Sequence, residues 1–87
     1  MKARKRREFG QHIISDPEIC HGHLTFKGTR MLVKDVLYFV AQGYDWNTIS
    51  KEFYGLPREA IAEAIDLACR ALLEKTEKQI ERRKRAA

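Results

Sequence analysis

The stretch Leu24-Thr25-Phe26-Lys27-Gly28-Thr29-Arg30-Met31-Leu32-Val33 decides how this chain folds. Apolar residues flank Lys27-Gly28 on both sides, and a glycine there supplies the positive φ that a tight hairpin turn demands. From Val33 the apolar period changes from two to about 3.6, which places Val33, Val36, Leu37 and Val40 on one helical stripe. A strand pair is therefore followed by helices. The expected fold is mainly α: a short N-terminal β-hairpin, then a three-helix bundle.

Gly43 closes the first helix, and Asp45 stands where an N-cap belongs, ahead of a second stripe formed by Trp46, Ile49 and Phe53. Gly55-Leu56-Pro57 ends that segment and opens the next, because proline fits the first turn of a helix. The third stripe is Ile61, Ala64, Ile65, Ala68 and Leu72. Two helices joined by a tight corner have the outline of a helix-turn-helix, whose second helix can enter a DNA groove. Leu37, Val40, Trp46, Ile49, Phe53, Ile61, Ile65 and Ala68 are expected to converge as the core. No breaker follows Pro57, so the third helix is expected to run into Glu74–Arg82. There Glu74 with Lys78 and Glu81 with Arg85 make favourable i,i+4 pairs, each worth only about 0.2–0.5 kcal/mol, while Glu77 opposes Glu81. Upstream, Ile13-Ile14 suffices for a short strand within Phe9–Ser15.

Eighty-seven residues make one domain with a small core, so a homodimer joined through the strands or the last helix is expected. Cys20 and Cys69 lie far apart with no secretory apolar segment ahead of them, which favours reduced thiols in cytoplasm. No apolar run approaches the roughly 18 residues that cross a bilayer.

The net charge of +5 is unevenly distributed. Residues 1–8 hold five basic side chains against one acidic, residues 9–73 six against eight, and residues 74–87 six against three. The chain thus divides into a basic arm (1–8), a slightly acidic folded domain (9–73) and a basic continuation of the last helix (74–87). Arms of this kind follow phosphates or enter a minor groove, so Lys2, Arg4, Lys5, Arg6 and Arg7 are candidate DNA contacts. Lys51 and Arg58 at the helix corner join them. The rest of the third-helix face, Glu59, Ala62, Glu63 and Asp66, is mostly acidic and suits phosphates poorly. On the last helix, Lys78, Arg82, Arg83 and Arg85 could pair with an acidic protein partner.

Other clusters point nowhere specific. His12, Cys20, His21 and His23 are ligand types, but adjacent Cys20-His21 is not zinc spacing and no second cluster follows, so no metal or other cofactor is expected. Asp16, Glu18 and His21 could be cast as a nuclease site, yet Asp before Pro is ordinary turn chemistry, and no enzyme is expected. In Gly28-Thr29-Arg30 the glycine serves the turn, while Arg30 is expected to anchor carboxylates or helix-end carbonyls.

The run Ser15-Asp16-Pro17-Glu18-Ile19, then Gly22, Gly28-Thr29-Arg30, Val33, Gly43, Ile49, Tyr54 and Leu56 resembles a small prokaryotic family, domain of unknown function 433. The resemblance covers residues 13 to about 70. The family's usual Gly-Lys-Pro reads Gly22-His23-Leu24 here, without the constraint of the proline. What the resemblance implies is a homeodomain-like helix-turn-helix and an antitoxin that represses its own promoter and neutralises a nuclease toxin of PIN-like fold. The alternative is a protein–protein interaction module without sequence-specific DNA binding.

Overall fold

The computed structural model describes residues 5–86, with side chains through residue 81. Three short strands, β1 (Arg7–Phe9), β2 (Ile13–Ser15) and β3 (Thr25–Phe26), form an antiparallel sheet in the order β1-β2-β3. Three helices follow: α1 (Val33–Ala41), α2 (Trp46–Glu52) and α3 (Arg58–Ala86).

The sheet is larger than the hairpin read from the sequence, and differently paired. Arg7 faces Ser15 and Phe9 faces Ile13, while Ile13 also faces Phe26 on β3. The expected pairing across Lys27-Gly28 contracts to one bridge, Thr25 with Leu32, because Val33 already begins α1. Gly28 does carry the turn, at φ 80°. Thr29 Oγ1 completes it, donating to the Phe26 carbonyl at 2.8 Å and accepting from the Met31 amide at 3.0 Å. Arg30 differs from expectation. It lies outside the strands and exposed, and none of the ion pairs among the described residues involves it. Its carbonyl, not its guanidinium, is engaged, by Cys20 Sγ.

The second helix begins where local chemistry favours it, whereas Leu32 gives α1 no side-chain cap. Asp45 Oδ1 accepts from the Thr48 amide at 2.8 Å, satisfying an otherwise unpaired donor of the first turn of α2. That hydrogen bond holds the Asp45 carboxyl below its ordinary range. Phe39 on α1 lies 5.2 Å edge-to-face from Phe53 at the end of α2 and 4.9 Å from Tyr44 in the loop between the two helices.

The core forms where β2, β3 and α1 meet the first half of α3: Ile13, Phe26, Val33, Val36, Ile49, Leu56, Ala60, Ile61 and Ala64. Of the expected core, Ile49 and Ile61 are buried, whereas Leu37, Val40, Trp46, Phe53 and Ile65 pack at its edge. Ala68 is exposed, a correction with a simple cause: the body of the domain ends before α3 does. At 1.5 Å per residue the 29 residues of α3 extend about 43 Å, and from Ala68 onward every described side chain is exposed.

Ile61→Ala should therefore cost roughly 2–5 kcal/mol in urea unfolding, and half-buried Ile65→Ala clearly less. Equal losses at the two sites would mean that α3 packs along a different face.

Candidate nucleic-acid interface

The basic N-terminal edge is partly built into the sheet. β1 begins at Arg7, so the arm ends at Arg6, and Arg7 and Glu8 are strand residues. Strand alternation sends them to opposite faces. The Arg7 guanidinium lies 5.3 Å from the centre of the Phe9 ring. Glu8 instead meets Lys27 Nζ at 3.0 Å, and this hydrogen bond, then the lysine charge, holds its carboxyl below the ordinary range. Lys5 and Arg6 are exposed beside Arg7, whereas Lys2 and Arg4 lie outside the described residues.

At the helix corner, Lys51 is exposed in the last turn of α2. Arg58 opens α3 with its guanidinium 5.4 Å from the Trp46 ring centre, so a cation–π contact holds it against the corner. Asp66 Oδ2 pairs with Arg70 Nε at 3.1 Å along the helix.

Glu63 behaves otherwise than its place on the outer face of α3 suggested. Its carboxylate accepts the Gln11 amide at 3.0 Å and the His12 amide at 2.7 Å, gathering the β1–β2 turn onto α3. Gly10 makes this approach possible: at φ 76° it carries no Cβ, and one placed there would meet the Glu63 carboxyl at 2.7 Å. The backbone hydrogen bond from Gln11, then that from His12, depresses the Glu63 pKa. The His12 ring lies beside them, its buried Nδ1 3.4 Å from Glu63 Oε1 without a hydrogen bond. The hairpin turn thus occupies part of the surface that a groove-reading helix would present. Sequence reasoning passed over this lock, although Gly10 after Phe9 was a readable turn signal.

Beyond the body, α3 exposes Leu72 (65%), Leu73 (57%) and Ile80 (48%) among charged residues that include Lys75 and Lys78. The side chains of Arg82, Arg83 and Arg85 lie outside the described ones. An apolar groove of about 450 Å³ between the sheet, α1 and α3 is lined by Phe9, Leu24, Leu37, Leu67, Ala68 and Ala71 among others.

The other sequence clusters disperse. His12 faces Glu63, Cys20 hydrogen-bonds the Arg30 carbonyl at 3.6 Å, and His21 and His23 are exposed. Among the described residues no three His, Cys, Asp or Glu side chains gather as a metal site would require. Asp16 Oδ1 accepts the Glu18 amide at 2.9 Å, which is turn chemistry. No described helix is long and apolar enough to cross a membrane.

The model of a family described as Protein of unknown function (DUF433) matches residues 13–68. The chain belongs to that family. The match runs from β2 to the first half of α3 and omits both β1 and the projecting end of α3. No curated protein and no solved structure matches the chain.

The Glu63 lock carries a pH signature. A carboxyl whose folded pKa lies below its ordinary value of 4.5 stabilises the fold fully above that pH and loses the contribution as pH falls through the folded pKa. Glu63→Gln should lower the melting temperature at neutral pH and flatten its decline below about pH 4.5, in melts followed by circular dichroism. An unchanged acid limb would show that the carboxylate does not hold the hairpin.

Proposed function

We propose that this protein is a DNA-binding antitoxin that represses its own promoter and neutralises a PIN-like nuclease toxin, as its family resemblance implies. The observation that carries the reading is the division of labour along α3. Its first half is core, while its second half projects as a bare helix with apolar side chains set among charged ones. An isolated helix of this length is marginal in water, so such a segment is well suited to be completed by a protein. Lys78, Arg82, Arg83 and Arg85 are the cations that would meet a carboxylate-rich nuclease pocket.

On the DNA side, α1, α2 and α3 are read as a homeodomain-like helix-turn-helix whose affinity comes chiefly from its basic edge. Lys2, Arg4, Lys5, Arg6 and Arg7 would track phosphates, with Lys51 and Arg58 at the corner. The Glu63 lock favours this arrangement over deep insertion of α3, because the hairpin turn stands on the face that would enter the groove. It also favours the second reading, an interaction module without a specific DNA site.

A homodimer fits α3 better than the sheet. The outer strand β1 is three residues long and carries Arg7 and Glu8, features that blunt an edge against pairing. An antiparallel crossing of two α3 helices at Ala68 would set Leu72 over the Ala64 end of the apolar groove. The same crossing would bring Asp66 of one copy to Arg70 of the other.

A salt titration on promoter and random duplexes tests the DNA reading. Each phosphate contact adds about −0.9 to the slope of log K against log salt. Removing residues 1–6, which leaves β1 intact, should weaken binding to both duplexes and flatten the slope, whereas Arg58→Ala should mainly change preference between them. Absence of duplex binding by the full chain at low salt would leave the interaction module as the reading. Sedimentation of Leu72→Glu should shift the protein toward monomer; a wild-type protein that is monomeric at micromolar concentration would sink the α3 dimer.

A further inference from the structure

The most strained backbone lies outside everything assigned above. Cys20 and His21 sit at φ 49° and 56°, in the left-handed region that side chains with a Cβ rarely adopt. Two adjacent residues persist there only if their surroundings fix them. Here they are fixed on both sides: Cys20 Sγ hydrogen-bonds the Arg30 carbonyl, and Ser15 Oγ donates to the Gly22 carbonyl. The product of this constraint is the position of His21. It lines a cleft of about 400 Å³ together with Lys5, Arg7, Ser15, Pro17 and Gly22.

That lining joins two cationic side chains to an imidazole and contains no carboxylate. Strand geometry explains why. Arg7 stands opposite Ser15 in the β1–β2 register, so the two share a face, and Lys5, ahead of the strand, lines the same cleft. Glu8 points to the other face and is held there by Lys27. Asp16, next in sequence to the lining, commits Oδ1 to the Glu18 amide. A guanidinium, an ammonium and a ring N–H around one acid-free concavity match the several oxygens of a phosphate group.

We propose that Lys5, Arg7 and His21 form a pocket for a single phosphate group, and that its ligand is a phosphodiester of a nucleic-acid backbone. The second half of this assignment rests on the DNA-binding reading above. The pocket converts a basic edge into a fixed register point, because a phosphate seated between β1 and the strained loop positions the whole domain on a duplex.

Two probes and two variants test it. Inorganic phosphate is titrated while NMR follows the His21 ring and the Arg7 side chain, and a random-sequence duplex is titrated by fluorescence anisotropy. His21→Gly removes the imidazole and relieves the left-handed strain, so it should raise the melting temperature while weakening both ligands. Arg7→Gln should weaken duplex binding roughly tenfold, the scale of one lost charge-assisted hydrogen bond. It should also reduce the salt slope by about 0.9. A His21→Gly protein that is more stable yet binds both probes like wild type overturns the pocket. If duplex binding persists unchanged in Arg7→Gln as well, the DNA reading survives and the pocket does not. Saturable shifts with inorganic phosphate but no binding of any duplex support the pocket and overturn its assignment to nucleic acid.

Discussion

One carboxylate ties the small sheet to the last helix. Three strands of two or three residues cannot hold together in water unaided, and the β1–β2 turn would otherwise have free amides facing α3. Glu63 takes two of those amides, from Gln11 and His12, across 51–52 residues of sequence. Gly10 takes the left-handed φ of 76° that this turn requires, a conformation strained for any residue with a Cβ. Beside this contact, Ile13 on β2 and Phe26 on β3 join Val36, Ile61 and Ala64 in one buried core. The charge-assisted hydrogen bonds therefore fix register, while apolar burial supplies most of the stabilisation.

The same lock governs how the surface can be used. An outer helix face bearing Glu59, Glu63 and Asp66 reads as three free carboxylates when only spacing is considered. In the folded chain one of them is engaged by the hairpin and another by Arg70, so its electrostatic character is milder than a residue count implies. Its accessibility is also lower, because the hairpin turn stands beside it. Positive charge lies instead at the β1 edge, where Lys5 and Arg7 line the cleft beside the strained His21 loop.

How much of this was legible in the sequence follows from the range of each interaction. The start of α1 at Val33, the Asp45 cap, the corner before Arg58 and the turn at Gly28 are local, set by residues within a few positions, and the pattern shows them. β1 is not local. Arg7 and Glu8 have no apolar periodicity, and a strand of three residues is too short to display any, so its pairing with β2 is invisible until the turn is held by Glu63. Ala68 continued a correct helical stripe but lay past the end of the body, a boundary no periodicity encodes. The left-handed pair Cys20-His21 had only a weak marker, since histidine enters that region more often than most residues but cysteine does not.

The projecting half of α3 follows from the same economy of size. A domain this small has too little surface on its sheet and two short helices to cover 29 helical residues, so burial stops near Ala64 and Ile65. Beyond that point the helix is held by propensity and, among the described residues, by the Asp66–Arg70 pair, worth tenths of a kcal/mol. Ordering such a segment against a partner would remove Leu72, Leu73 and Ile80 from water. Ordering it alone gains nothing comparable. The body therefore needs α3 only to Leu67, and the residues past it are free to answer to a second copy or another protein without disturbing the core. The basic edge and the projecting helix are consequently separate surfaces of one small domain, and α3 begins in the Arg58–Trp46 corner.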